Sequence, residues 1–274
     1  MTDVPMITLN DGVRVPQLGF GTYKLSDDGA EAAVLEALRL GYRHIDTAAM
    51  YDNERGVGRA LAASGLPRNQ IFVTTKLWND MHAPDKARIA LNASLERLGL
   101  DVIDLYLIHW PSPITYGDEY VRAWDALQEF RSEGLVRSIG VCNFNPEHLD
   151  RLRGAVPSVD QVELHPWLVQ PGLDDELKRR GIALEAWSPL GRARVLDDPV
   201  LAGIAAQTGR TPAQVVLRWH LQRGHIVIPK SAHPQRMTEN LGALDFTLSQ
   251  AQMDAITGMD RGQRTGADPA TETF

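Results

Sequence analysis

The chain is poor in cysteine, in long apolar runs and in positive charge. Cys142 is its single cysteine, so no intramolecular disulfide can brace the fold. That suits a reducing compartment, and a soluble cytoplasmic protein is the expectation. No stretch approaches the roughly 20 consecutive apolar residues of a membrane-spanning helix. The first residues, Met-Thr-Asp-Val-Pro-Met, show no basic region followed by an apolar run, as a secretory signal would. Lys and Arg number 28 against 35 Asp and Glu, a net charge of −7, which argues against nucleic acid or an anionic membrane as partner. A Gly-x-Gly-x-x-Gly turn between strand and helix is also missing. The nearest match, Gly56-Val57-Gly58-Arg59-Ala60-Leu61, fails at its last position and does not follow a strand. An open, doubly wound sheet is therefore the weaker of two candidate architectures.

What is present is alternation. Apolar residues make up 43% of the 274, enough for a large core, and α/β barrels of this size fold as one domain. Ile7–Leu9 and Arg14–Val15 flank Asn10-Asp11-Gly12, a hairpin signal too short to be a domain and read as a lid on one end. Leu18–Gly21 then reads as the first core strand, with Gly19 and Gly21 allowing close approach to its backbone. Strands follow at Tyr42–Asp46, Ile71–Lys76, Val102–His109, Ser138–Cys142, Gln161–Leu164, Ala183–Trp187 and Ile226–Pro229. Between them lie helical patterns at Ala30–Leu40, Asn53–Ser64, Pro84–Leu98, Tyr120–Glu133, Pro146–Leu152, Leu173–Arg180, Val200–Gln207 and Pro212–Arg223, and Gln235–Leu241 follows the last strand. Several strands are nearly continuous apolar runs, as expected when both faces are covered. The pattern predicts an α/β chain folded as a single (β/α)8 TIM barrel over 1–274, with the N-terminal β-hairpin capping the barrel bottom. The Gly/Thr-rich tail from Arg261 to Phe274 is expected to loop over a surface.

Such barrels place their active sites at the C-terminal strand ends. Those positions carry Asp46, Lys76, His109, Cys142-Asn143, Gln161 and Glu163, Trp187-Ser188 and Lys230-Ser231. Taken singly, each is ordinary: an ion pair, a satisfied histidine, a packed tryptophan. Together at one end they would leave many polar groups unpaired unless they met each other or a ligand. Tyr51 lies on the loop after Asp46. A free phenol has a pKa of about 10, and a nearby lysine would favour its ionised form.

The motifs that carry this pattern are Leu-Gly-Phe-Gly-Thr (18–22), His-Ile-Asp-Thr-Ala (44–48), Tyr-Asp-Asn-Glu (51–54), Thr-Thr-Lys-Leu-Trp (74–78), Asp-Leu-Tyr-Leu-Ile-His-Trp-Pro (104–111), Ile-Gly-Val-Cys-Asn-Phe (139–144), Gln-Val-Glu-Leu-His-Pro (161–166), Trp-Ser-Pro-Leu-Gly (187–191) and Ile-Pro-Lys-Ser (228–231). In this order the chain resembles the aldo-keto reductases, NADPH-dependent (β/α)8 enzymes, and most of all the bacterial diketogluconate reductase type. The resemblance implies a catalytic tetrad of Asp46, Tyr51, Lys76 and His109: Tyr51 as proton donor, Lys76 making it a better acid, Asp46 holding Lys76, and His109 bonded to the carbonyl. It places NADPH at Gly21, Thr22, Tyr23 and Asp46, with its nicotinamide against Trp187 and its carboxamide at Cys142, Asn143 and Gln161. Ser188, Leu190 and Gly191 would approach the pyrophosphate. Lys230, Ser231 and Arg236 would surround the 2′-phosphate, and Glu239 and Asn240 the adenine. The family usually has serine where this chain has Cys142, a weaker hydrogen-bond partner. His233 stands where related sequences often carry arginine, which leaves NADH open as a weaker alternative. Tyr23, Trp78, His109 and Trp110 would line the substrate pocket, with Asn79 at its rim. The short tail would leave that pocket open to small aldehydes, ketones, dicarbonyls and keto acids or esters.

Two other readings compete. A metal-dependent barrel hydrolase would gather His44, Asp46, Lys76, His109, Glu163 and His165 around zinc, but it gives Tyr51, Gln161, Trp187 and Lys230 no role; no metal is expected. A non-catalytic NADPH sensor on the same barrel has no need of Tyr51 and His109 together. With no large apolar surface stripe, a monomer is the default.

Overall fold

The computed structural model describes residues 4–274. A short antiparallel hairpin, β1 (Met6–Thr8) and β2 (Arg14–Pro16), precedes eight parallel strands. These are β3 (Phe20–Gly21), β4 (His44–Asp46), β5 (Phe72–Leu77), β6 (Ile103–Ile108), β7 (Val136–Cys142), β8 (Val159–Glu163), β9 (Ala183–Trp187) and β10 (Ile226–Val227), each paired with the next in chain order. The sheet closes on itself. Leu18 bridges in parallel to Val227, the Gly19 amide donates to the Val227 carbonyl (2.8 Å), and the Gly21 amide donates to the Pro229 carbonyl (3.2 Å). Closure leaves no free sheet edge.

The helices that wrap it are α1 (Asp27–Leu40), α2 (Glu54–Ala63), α3 (Pro84–Leu98), α4 (Pro113–Tyr116), α5 (Glu119–Ser132), α6 (Pro146–Leu149), α7 (Pro171–Arg180), α8 (Pro199–Thr208), α9 (Pro212–Gln222), α10 (Pro234–Leu241) and α11 (Gln250–Thr257). Proline begins seven of these, a position where its missing N–H costs nothing. Two elements were not expected. The Pro-rich loop after β6 winds into α4. Helix α11 is started by a reciprocal cap, in which the Ser249 hydroxyl accepts from the Gln252 amide and the Gln252 side chain accepts from the Ser249 amide. That Ser-x-x-Gln signal is written in the sequence, but the segment it opens buries little besides Ile256.

The hairpin is fastened beneath the barrel. Asn10 Nδ2 donates to the carbonyls of Pro157 (2.9 Å) and Gly181 (3.1 Å), on the connections leading into β8 and β9, and Asp11 Oδ2 accepts from Ser138 Oγ (2.7 Å). Leu9 and Val15 then complete an apolar floor with Phe72, Leu105, Val159 and Ile226. Strand periodicity does the rest. Leu105 and Leu107 belong to this inner cluster, and Tyr106 and Ile108 to the larger one beneath the helices. Two residues beyond Leu107 on the same face comes His109. The same step of two leads from Phe72 through Thr74 to Lys76, and from His44 to Asp46.

Candidate active site

At the C-terminal end of the barrel, Lys76 is fully buried. Its ammonium donates to both oxygens of Asp46 (2.8 and 2.8 Å) and to the Thr47 carbonyl (2.8 Å), which uses all three of its protons. Asp46 Oδ2 also accepts from Gln161 Nε2 (2.8 Å). Lys76 Nζ stands 5.1 Å from the centre of the Tyr51 ring. The His109 ring meets Tyr51 edge-on at 5.7 Å, and Trp78 meets His109 at 5.1 Å. Asp46, Tyr51, Lys76 and His109, which the sequence delivers from three strands and a loop, are therefore neighbours.

The loop that presents Tyr51 is held from behind. Asn53 is fully buried; its amide donates to the carbonyls of Thr22 (3.0 Å) and Leu25 (3.1 Å), and its oxygen accepts from Thr47 Oγ1 (2.8 Å). Glu54 accepts from Thr75 Oγ1 (2.6 Å) and from Arg97 (2.7 Å). Asp52 closes the turn in the left-handed region at φ 53°. The last two residues of Tyr-Asp-Asn-Glu thus brace the first.

Burial sets the charge states. It opposes the charge on Lys76, but Asp46 and the Tyr51 phenol outweigh it and hold the ammonium ionised, with its pKa raised. Burial also pushes the Asp46 carboxyl up, against the pull of Lys76 and Gln161. Tyr51 departs from the expectation that Lys76 would lower it. Desolvation raises the phenol above its ordinary value, and the lysine only moderates that rise. The phenol therefore carries its proton at neutral pH. Burial, with Lys76 second, holds His109 well below the usual imidazole range, so it is neutral. Its Nδ1 is buried without a hydrogen-bond partner.

A cavity of about 900 Å³ opens over this cluster. Of the site residues expected from sequence, Gly21, Tyr23, Asp46, Tyr51, Trp78, His109, Trp110, Cys142, Asn143, Gln161, Trp187, Ser188, Leu190, Lys230, Ser231, Arg236, Glu239 and Asn240 line it. Thr22, Lys76 and Gly191 do not. Thr22 lies behind the wall with its hydroxyl on the Asp46 carbonyl (3.0 Å), Lys76 lies beneath Asp46, and Gly191 is packed against Val195. Asn79 is not a rim residue: it is buried, and its amide ties Ser112 Oγ (2.8 Å) to the Phe274 carbonyl (3.0 Å). Asn143 adopts φ 63° so that its side chain bridges the His109 carbonyl (3.0 Å) and the Trp187 indole N–H (2.8 Å). Cys142 Sγ lies 3.7 Å from Gln161 Oε1 and accepts from Asn143 Nδ2 at 3.1 Å. Burial raises its thiol well above the ordinary value, so it is protonated and unreactive.

Sequence reasoning missed the tail. It does not simply cross a surface. Thr265 and Gly266 donate their amides to Glu163 Oε1 (2.6 and 3.1 Å), Ser112 donates to Glu272 (2.5 Å), and Phe274 stacks on Trp78 (6.0 Å) and meets Trp110 edge-on (5.1 Å). Gly266, Ala267 and Phe274 are part of the cavity wall, so the pocket is less open than expected. No local signal marks this, because the partners lie more than a hundred residues away.

The residues fit a dinucleotide. Trp187 offers a flat face. At Gly21 an added Cβ would meet the Ile228 carbonyl at 2.9 Å, so only glycine lets these strands close beside the cavity. Lys230 and Arg236, which line the cavity, have no ion-pair partner among the described residues, and cations of this kind can hold phosphate. No group of three or more His, Cys, Asp or Glu among the described residues could hold a metal ion; His44 bonds Thr74 Oγ1 (3.0 Å) and His165 bonds Glu163 (3.2 Å) instead.

The site is thus a closed parallel barrel with Asp46, Tyr51, Lys76 and His109 gathered at one end of it, beside a large cavity. The chain belongs to the aldo/keto reductase family, whose model matches residues 17–261. It is 51% identical to an aldo-keto reductase of Mycolicibacterium smegmatis and 50% identical to the methylglyoxal reductase DkgA of Yersinia pestis, over 98% of each chain in both cases. Among solved structures it is similar to a Gox0644 variant in complex with NADPH, at TM-score 0.95 and 46% identity over the whole of both chains. Family membership makes it an oxidoreductase of carbonyl groups.

Proposed function

We propose that the chain reduces small aldehydes, ketones or dicarbonyls, of the methylglyoxal, diketogluconate or keto-ester kind, to alcohols with Tyr51 as general acid. NADPH, when bound, supplies the hydride. The carrying observation is the buried Lys76, ionised between Asp46 and the Tyr51 ring, with His109 meeting the same ring edge-on. Tyr51 gives its proton to the carbonyl oxygen. Lys76 then faces the phenolate that forms, so its charge acts where negative charge develops rather than in the ground state. Neutral His109 holds the same oxygen by an N–H bond. Asp46 and Gln161 keep Lys76 in place. Trp187 would back the nicotinamide, Asn143, Gln161 and Cys142 would face its carboxamide, and Lys230, Ser231 and Arg236 would take the 2′-phosphate, with NADH a weaker alternative. Tyr23, Trp78, Trp110 and Phe274 give the substrate end an aromatic lining. The name of the Yersinia relative, methylglyoxal reductase, supports the dicarbonyl reading. The net charge and the lone buried thiol favour a monomeric cytoplasmic enzyme acting as one unit over 1–274.

The test is NADPH consumption with methylglyoxal, a keto ester, a sugar diketo acid and an aromatic aldehyde, beside NADH controls. Tyr51→Phe is expected to lower kcat by a factor of roughly 10²–10³ while NADPH affinity stays within about twofold. Equal loss of turnover and binding would make Tyr51 structural. Binding of NADPH by wild type with no turnover of any carbonyl would point to a sensor.

A further inference from the structure

Glu163 ends β8, is 1% exposed and has no part in the chemistry above. A buried carboxylate needs donors for its oxygens. One comes from the loop that follows the strand: His165 Nε2, 3.2 Å from Oε1. The others come from the tail. Oε1 accepts the Thr265 amide (2.6 Å), the Thr265 hydroxyl and the Gly266 amide (3.1 Å), while Oε2 accepts the Gly266 amide (3.2 Å) and lies 3.9 Å from Arg264 Nη1. Burial pushes the carboxyl up, but His165 and Thr265 outweigh it and hold it below its ordinary value, so it is ionised at neutral pH. Flanking bonds guide the segment in. The amides of Arg261 and Gln263 donate to the Trp167 carbonyl (3.1 and 2.9 Å), and Arg264 Nη2 donates to Gln170 Oε1 (3.3 Å).

What this clamp holds lies against Trp187. Glu163 and Trp187 are register partners on β8 and β9. Gly266 meets the benzo edge of the indole: a Cβ added there would come 2.4 Å from Trp187 Cη2 and 3.0 Å from Cζ3. At the other edge the indole N–H donates to Asn143 Oδ1 (2.8 Å). The ring is thus held at both edges, and it cannot turn without losing the Asn143 bond or displacing the tail. The tail has a second anchor farther on, where Glu272 accepts from Ser112 and the Phe274 carbonyl accepts from Asn79 (3.0 Å). Between the anchors, Ala270, Thr271 and Glu272 turn back on Asp268. The Trp187 side and the Trp78–Trp110 side of the tail are therefore fastened separately.

We propose that Glu163 is a positioning residue for hydride transfer: it clamps Thr265 and Gly266, and through Gly266 it sets the plane of the Trp187 indole against which the nicotinamide lies. The inference rests on the NADPH reading above. Glu163 acts on the dinucleotide and on the transfer step. The carbonyl's own pocket hangs on the second anchor and is left in place. NADH and NADPH share the nicotinamide, so the clamp serves both equally.

The test compares wild type, Glu163→Gln, Gly266→Ala and the double variant. Calorimetric titration with NADPH and with NADH gives affinities, steady-state kinetics with the best carbonyl of the panel above gives kcat and KM, and a trypsin time course follows cleavage after Arg264. Glu163→Gln sets an amide donor against the tail amides. It is expected to speed cleavage after Arg264, to weaken both dinucleotides by the same factor and to lower kcat by roughly 10-fold, as misplacement of a reacting group does. KM for the carbonyl should stay within about threefold of wild type. Gly266→Ala crowds Trp187 directly and should lower affinity and kcat as well. Because both changes act along one path, the double variant should lose no more than about twofold beyond the worse single one. A freed tail with unchanged affinity and kcat, a carbonyl KM that rises as steeply as kcat falls, or fully additive losses in the double variant would each overturn the proposal. So would a Gly266→Ala protein identical to wild type, a result that stands even if Glu163→Gln does not fold. A wild type that binds neither dinucleotide would overturn the NADPH reading itself, an outcome distinct from these.

Discussion

Glu185 shows what a single residue can cost inside this barrel. It sits on β9, fully buried, with neither carboxyl oxygen hydrogen-bonded and His44 Nε2 3.7 Å away. Burial and the nearby Asp46 push it up to about 8, against the pull of Lys76. From an ordinary value of 4.5, the folded chain keeps a proton that the unfolded chain releases across that range. Its contribution is therefore fully present below pH 4.5 and is lost as the pH rises towards 8. Glu185→Gln, which keeps the shape without the titration, should match wild type near the acid end and exceed it by a few kcal/mol at about pH 8. Urea unfolding at several pH values measures the gap; a gap that stays flat or widens towards acid would refute the account. Tyr51 teaches the same lesson. The lysine beside it was legible in the sequence, but the depth of burial was not, and burial decides the direction of the phenol's shift.

At the scale of elements, the glycines of Gly56-Val57-Gly58 have a packing role. They lie in α2, and an added Cβ at Gly56 would meet the Asp27 carbonyl at 1.9 Å, while at Gly58 it would meet the Arg97 and Leu98 carbonyls at 2.7 Å. These two positions let α2 press directly on the start of α1 and the end of α3. Gly56→Ala must push the helices apart, and overpacking of this kind costs about 1–3 kcal/mol or more. A thermal melt should show a drop of several degrees with NADPH affinity little changed. A melt equal to wild type would mean that the contact relaxes freely. The sequence could exclude a phosphate loop at Gly56–Leu61 from its position after no strand, but which backbone the glycines accommodate depends on partners about 30 and 40 residues away in the chain.

Across the whole molecule, the tail converts an open barrel mouth into a walled pocket. Phe274 reaches Trp78 and Trp110, both far more than a hundred residues before it in the chain. Aromatic contacts of this kind contribute about 0.5–1.5 kcal/mol each. Phe274→Ala is therefore expected to lower kcat/KM for an aromatic aldehyde by roughly 3–10-fold, with NADPH affinity unchanged because the dinucleotide end of the cavity lies elsewhere. Steady-state kinetics with the aromatic aldehyde and with methylglyoxal would check it; an unchanged kcat/KM for the aromatic substrate would remove Phe274 from the substrate wall.

The alternation of apolar strands and amphipathic helices was enough to specify the barrel, because the period of the pattern dictates which face each element buries. It was enough, too, to place Asp46, Lys76 and His109 together, since one step of two along adjacent parallel strands brings their inward faces to the same rim. Tertiary structure alone decided the rest: the tail as pocket wall, Asn79 as its tether, and the charge states of Tyr51 and Glu185. Each of these depends on desolvation or on a contact between distant segments, and neither leaves a local pattern in the chain.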